Sequence, residues 1–194
     1  AAGRLTVVAH VGSTSTEQSV ALAQHAEAAG VDYIASVAPF YLHHDAPTII
    51  QFFKDLVAAV KIPVYVYNNP KASGADIPPA LLRRLVEVGV QGIKDSGFGY
   101  IEFAHFVLEI ARDYPDFRFI VGTEGIALPA FMAGAKGCVS GLANVFPEGD
   151  ETFEEARNRV VSEYEARLEA FGVTLGTASR SVDPGTPNRY ATLA

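Results

Sequence analysis

Cysteine is nearly absent from the 194-residue sequence: Cys138 stands alone. Neither an internal disulfide nor a cysteine-based zinc site can therefore hold the fold together. Runs of Lys or Arg are missing as well, and 22 Asp+Glu outweigh 15 Lys+Arg for a formal net charge of −7 and a pI near 5.2. The basic footprint that nucleic acid or an anionic membrane demands does not exist, which leaves small molecules and proteins as partners. The apolar stretches are strand-sized and broken by Gly, Pro or charge, and the N-terminus carries no basic-then-apolar signal pattern. The expectation is a soluble, cytoplasmic, single-domain protein held by a hydrophobic core.

What is present is alternation. Short β-branched runs occur at Leu5–His10, Tyr33–Ala38, Val64–Tyr67, Val90–Lys94, Arg118–Val121 and Gly137–Leu142, and segments of helical period lie between them. Thr14–Ala29 opens on a Ser/Thr cluster with Glu17 and Gln18 at capping-box spacing and stops at Gly30. Pro47 suits a first helical turn, and Ile49, Phe52, Leu56 and Val60 follow as one stripe. Pro78 and Pro79 open a helix carrying Leu81, Leu82, Leu85 and Val86; further helices are expected over Ile101–Arg112 and Gly125–Ala133. Strand, loop and helix repeat without a low-complexity break, so residues 1–148 read as an α/β array with a parallel sheet. It can close as a barrel or stay an open sheet. Residues 149–171 read as an appended acidic amphipathic helix, and 172–194, rich in Gly, Pro, Ser and Thr, as an irregular tail.

Parallel βα folds carry their chemistry at the C-terminal strand ends. Two such ends stand out: Tyr67 followed by Asn68, Asn69 and Pro70, and Lys94 followed by Asp95 and Ser96. They lie one βα unit apart, so the same end of neighbouring strands brings them to about 4.8 Å backbone spacing. A lysine amine drawn out of water loses its proton more easily and becomes a nucleophile for Schiff-base chemistry with a carbonyl substrate. A lysine reaching solvent, or pairing with Asp95, is the plainer alternative, although strand alternation sends Asp95 to the opposite face. The Tyr67 phenol can give or take a proton.

The segments Tyr65–Gly74 (YVYNNPKASG), Gly92–Gly97 (GIKDSG) and Ala38–Tyr41 (APFY), in this order and spacing, resemble the dihydrodipicolinate synthase and N-acetylneuraminate lyase family. Val11–Thr16, the Gly122 region and Leu142–Glu148 add to the resemblance, which runs from about residue 4 to 148. It implies a (β/α)8 TIM barrel of which six of eight units are recognisable, acting as a class I, pyruvate-dependent lyase or aldolase. No metal or cofactor is implied beyond a covalent imine on Lys94. Tyr67 would relay the proton, Tyr41 would reach a neighbouring subunit's site in a homotetramer or dimer, and Gly122 and Val139 would line the pyruvate pocket.

The departures bear on substrate. A (β/α)8 barrel takes about 250 residues, and the family's first two units, with their carboxylate-binding threonine loop, have no counterpart here. The position at which the synthases carry a carboxylate-binding arginine is Ala72, which cannot supply that bidentate anchor. The form with Ser73 and Gly74 is closer to sialic-acid lyases and 2-keto-3-deoxy sugar-acid aldolases, with Ser73 a substrate contact. The expected substrates are pyruvate with an aldehyde or keto acid; condensation with aspartate semialdehyde is the alternative. A reading of another class is a non-catalytic paralogue that serves only as an oligomerisation partner.

Other motifs carry less. Gly97-Phe98-Gly99 has Glu102 where a dinucleotide fingerprint needs its third glycine. His43, His44 and Asp45 read as a loop rather than metal ligands, Cys138 as a packing residue, and His10, His25 and His105 as structural. Asp95 and Glu124 read as caps of the following helices.

Overall fold

The computed structural model describes residues 6–97, 99–141, 162, 173–178 and 188–193, the last two segments by their backbone. The chain divides into two units, residues 1–147 and 148–194.

In the first unit all six expected strands form: β1 (Val8–His10), β2 (Tyr33–Ser36), β3 (Val64–Asn68), β4 (Gly92–Asp95), β5 (Arg118–Val121) and β6 (Gly137–Cys138). Every neighbouring pair is parallel, and the spatial order is β1-β2-β3-β4-β5-β6. A doubly wound sheet reverses its strand order at a switch point; this one never reverses, which makes it a singly wound segment of a βα barrel.

Strand alternation shows the same thing from the side chains. Ile34, Val64, Val66, Ile93, Phe119 and Val121 are buried in one core with helix residues. The intervening Tyr33, Tyr67, Lys94 and Ile120 stay half-buried on the opposite face, and Arg118 is exposed there. One face is therefore packed on helices, and the other is the face a barrel turns inward.

The helices form where their signals lie. In α1 (Thr16–Ala28) the Ser15 hydroxyl accepts from the Gln18 N–H at 3.2 Å, and Gly30 follows with φ 80°. Asp45 caps α2 (Ala46–Ala59), accepting from the Thr48 N–H and hydroxyl; this hydrogen bonding holds its carboxyl below the usual range. Phe52, Phe53 and Leu56 of α2 are fully buried, at about 1.5–3 kcal/mol for each side chain removed from water. A short α3 (Pro70–Ser73), closed by left-handed Gly74, precedes α4 (Pro79–Glu87), which buries Leu81, Leu82, Leu85 and Val86. Then come α5 (Tyr100–Ile110), a 3-10 turn over Glu124–Ile126, and α6 (Ala127–Ala133).

Strand ends differ from the sequence reading for local reasons. β2 stops at Ser36 rather than Ala38 because the Val37 N–H leaves the ladder for His10 Nε2, at 3.4 Å, while Ser36 Oγ turns onto the Val37 carbonyl. Likewise β1 begins at Val8, the Val7 N–H being taken by the Asp32 carboxylate at 2.6 Å.

In the second unit, the helix expected over 149–171 lies outside the described residues except for Ser162. Within 172–194, expected to be an irregular tail, the backbone forms β7 (Val173–Ala178) and β8 (Asn188–Leu193), paired antiparallel from Val173↔Leu193 to Ala178↔Asn188. The correction has a sequence basis: Val173, Thr174 and Thr177 are β-branched, a preference that outweighs the Gly and Ser content around them.

Candidate active site

Parallel register puts Tyr67 directly opposite Lys94, at the C-terminal ends of β3 and β4. The Lys94 Nζ lies 4.0 Å from the centroid of the Tyr67 ring, close enough for the ammonium to be held by the ring's electron-rich face. The pair predicted from spacing is thus in contact, on the sheet face turned away from the helices.

Around the phenol oxygen the neighbours are mostly donors. Asn69 Nδ2 donates to Tyr67 Oη at 3.0 Å. Burial pushes the phenol's pKa up, but hydrogen bonding to Ser96 and Lys94, the Lys94 charge and the Asn69 contact together outweigh it, leaving the phenol below its ordinary range. Donors converging on an oxygen favour its deprotonated form. Tyr67 therefore gives up its proton more readily than a free phenol.

Behind this pair, on the helix side, Asn68 and Asp95 tie the same two strands together. Asn68 Nδ2 donates to Asp95 Oδ1 at 2.8 Å, Asn68 Oδ1 accepts from the Ile77 N–H, and the Gly97 N–H donates to Asp95 Oδ1 at 3.2 Å. Asp95 therefore braces the two strand ends and the loop after β4. It does not cap α5, whose N-cap is Gly99 with no side-chain bond. Glu124 sits in the first turn of the 3-10 helix and accepts from the Ser140 hydroxyl at 2.8 Å.

The other expected site residues divide. The Gly122 N–H donates to the Asp95 carbonyl at 2.6 Å. A Cβ at Gly122 would overlap Ser96 Oγ and stand 2.8 Å from that carbonyl, so glycine is what lets the end of β5 close on the Lys94 loop. Val139, half exposed, follows β6 and donates its N–H to the Val121 carbonyl at 2.8 Å. Tyr41 stands apart, 91% exposed in the β2–α2 connection with a left-handed φ of 82°. Ser73 is buried; its hydroxyl lies 2.9 Å from the Asn69 carbonyl and 3.1 Å from that of Ala75, and accepts from the Ala75 N–H. That hydroxyl is engaged in the turn after β3.

Three neighbours were given no site role from sequence: Ser96, Asn69 and His10, the last read as structural. The His10 ring meets the Tyr67 ring edge-on at 6.0 Å. Its place at a strand end on the same face was the available signal. Among the described residues no cluster of His, Cys, Asp and Glu could hold a metal ion, and no helix is long and apolar enough to cross a membrane.

This geometry has relatives. Residues 1–168 match the model of the dihydrodipicolinate synthetase family. The chain belongs to that family. It is 32% identical to an uncharacterized DapA-like lyase of Halobacterium salinarum over 94% of this chain and 64% of that one. Identity to the 4-hydroxy-tetrahydrodipicolinate synthase of Rhizobium meliloti is 36%, over 79% of this chain and 52% of the synthase. Among solved structures, the 4-hydroxy-tetrahydrodipicolinate synthase of Methylacidiphilum fumariolicum SolV superposes with a TM-score of 0.73 at 30% identity, covering 85% of this chain and 54% of that one. The Escherichia coli K12 prophage protein YagE, solved with pyruvate, gives 0.74 at 24% identity over 88% and 56%, a likeness of fold. The chain spans between about half and two thirds of the length of the curated relatives it matches.

Proposed function

We propose that this chain carries the imine-forming half of a class I, pyruvate-dependent lyase or aldolase. The observation that carries the reading is the opposed pair, with the Lys94 amine 4.0 Å from the Tyr67 ring at the open end of the sheet. The Lys94 ammonium gives up a proton, the amine so formed attacks the keto carbon of pyruvate, the proton returns to the departing oxygen, and water leaves to give a protonated imine on Lys94. That imine is an electron sink which stabilises the carbanion formed or consumed as the adjoining C–C bond breaks or forms. Tyr67, hydrogen-bonded by Asn69, moves the accompanying proton. Gly122 and Val139, just past the ends of the next two strands, are the residues we assign to the pyruvate pocket. Family membership supports the reading, as does YagE, whose structure contains pyruvate.

For the partner substrate we favour the aldehyde end of a polyhydroxylated 2-keto-3-deoxy acid, because Ala72 on α3 offers no charge to a second carboxylate. A second reading, condensation of pyruvate with aspartate semialdehyde, is supported by the relatives named as 4-hydroxy-tetrahydrodipicolinate synthases. Tyr41, exposed and held at positive φ, is the residue we assign to contact with another copy in a homotetramer or dimer.

Borohydride reduction in the presence of pyruvate tests the reading. The expected result is one pyruvate-derived adduct, mapped to the Lys94 peptide and lost in Lys94→Ala with the melting transition retained. A folded sample in which Lys94 stays unmodified overturns it.

A further inference from the structure

The imidazole of His10 is the one aromatic group packed against Tyr67 among the described residues that the scheme above leaves idle. His10 ends β1, two strands away from β3, yet its ring meets that of Tyr67 edge-on, with centroids 6.0 Å apart and planes at 86°. Lys94 approaches the same phenol ring, its Nζ 4.0 Å from the centroid. Tyr67 thus meets both an imidazole and the Lys94 side chain.

His10 is itself fixed. The Val37 N–H, leaving the β2 ladder, donates to His10 Nε2 at 3.4 Å. An imidazole that accepts at Nε2 carries its proton on Nδ1. Beneath the ring lies Gly12, where any Cβ would stand 2.8 Å from His10 Cε1 and 2.9 Å from Nε2. The ring position therefore requires both an N–H freed from the sheet and a residue without a side chain. Titratable groups face His10 from two strands, Tyr67 on β3 and Lys94 on β4, while β2 contributes the Val37 amide. Burial, and then the Lys94 charge, hold the imidazole below its usual range and so uncharged near neutrality.

We infer that His10, seated over Gly12 and tethered by the Val37 amide, is a positioning residue that fixes the Tyr67 ring against Lys94. A tethered side chain packed against a ring restricts how that ring tilts, and Tyr67 keeps its Asn69, Ser96 and Lys94 neighbours only while it does not tilt. The inference deepens the proposed imine chemistry but is read out without it.

The test is the ultraviolet phenolate titration of the full chain, with the spectrum of Tyr67→Phe subtracted to isolate one phenol. In the parent, this phenol titrates below the ordinary value of about 10. In His10→Ala, and independently in Gly12→Ala, which displaces the imidazole without changing it, the titration moves up toward that value. In His10→Gln, whose amide oxygen can accept from Val37, it stays low. A low phenol unaffected by His10→Ala and Gly12→Ala, a His10→Gln that behaves as His10→Ala, or no low phenol in the parent each overturns the inference. Borohydride trapping on the same parent sample judges the imine separately: an untrapped Lys94 beside a His10-dependent phenol removes the chemistry and keeps the positioning.

Discussion

Asn68 and Asp95 are joined across β3 and β4 by a 2.8 Å hydrogen bond, on the reverse side of the sheet from Tyr67 and Lys94. Each residue of the reactive pair is followed in sequence by a member of this buried brace. Asp95 Oδ2, by contrast, has no hydrogen-bond partner among the described residues.

That orphan oxygen makes stability depend on pH. Burial raises the Asp95 carboxyl above the usual range, against the lowering effects of Asn68 and Gly97. A carboxyl raised in the native state stabilises the fold when protonated; the gain appears as pH falls through the raised pKa toward the unfolded value near 3.9 and is lost above it. Asp95→Asn should therefore raise the melting temperature at pH 7, with the advantage shrinking steadily toward pH 4. Parallel thermal melts of the two proteins across that range check it, and an equal difference at every pH would count against a protonation origin.

Tyr67→Phe removes a hydroxyl and keeps the ring. For a proton-transfer role the expected loss is about 10²–10³ in kcat, with KM for pyruvate changed by less than about threefold. Steady-state kinetics on the aldehyde that supports turnover measure both. A KM effect without a kcat effect would take Tyr67 out of proton transfer.

Gly122→Ala drives a methyl into Ser96 Oγ and toward the Asp95 carbonyl. The overlap involves backbone, so relief means moving the end of β5 away from the Lys94 loop. Destabilisation of about 1–3 kcal/mol is expected, together with slower imine trapping. Denaturant unfolding and timed borohydride quenching read the two effects.

Arg83 clamps α4 to α5. Its Nε contacts the Glu109 carboxylate at 2.7 Å, and its Nη2 reaches the Glu109 carbonyl at 2.6 Å and Asp113 at 2.8 Å. Lysine cannot reproduce a fork with three acceptors. Arg83→Lys should lower the melting temperature by a few degrees at low salt and by less as ionic strength rises; a salt-independent loss would point to packing instead.

The strands, the long helices and the Tyr67–Lys94 pair were legible because their signals are local: β-branched runs, caps, and a spacing of one βα unit. What escaped depends on where single backbone groups point. α3 is four residues long, too short for a helical period to show. Ser73 could be placed near the substrate by resemblance, but only the turn reveals that its hydroxyl is occupied by Asn69 and Ala75. His10 reads as structural until the Val37 amide is seen to abandon its ladder for the imidazole. Asp95 looks like a helix cap in sequence, since nothing there records that Asn68 will face it across the strand boundary.

The unbroken order of the six strands has a consequence for synthesis. Among the described residues each strand of this sheet pairs only with the strands immediately before and after it in the chain, so within the sheet the pairing follows chain order. During translation, which proceeds from the N-terminus at about 5–20 residues per second, each of β2 to β6 emerges after the strand it docks against. Assembly can follow the direction of translation, with the reactive pair completed as soon as β4 settles against β3.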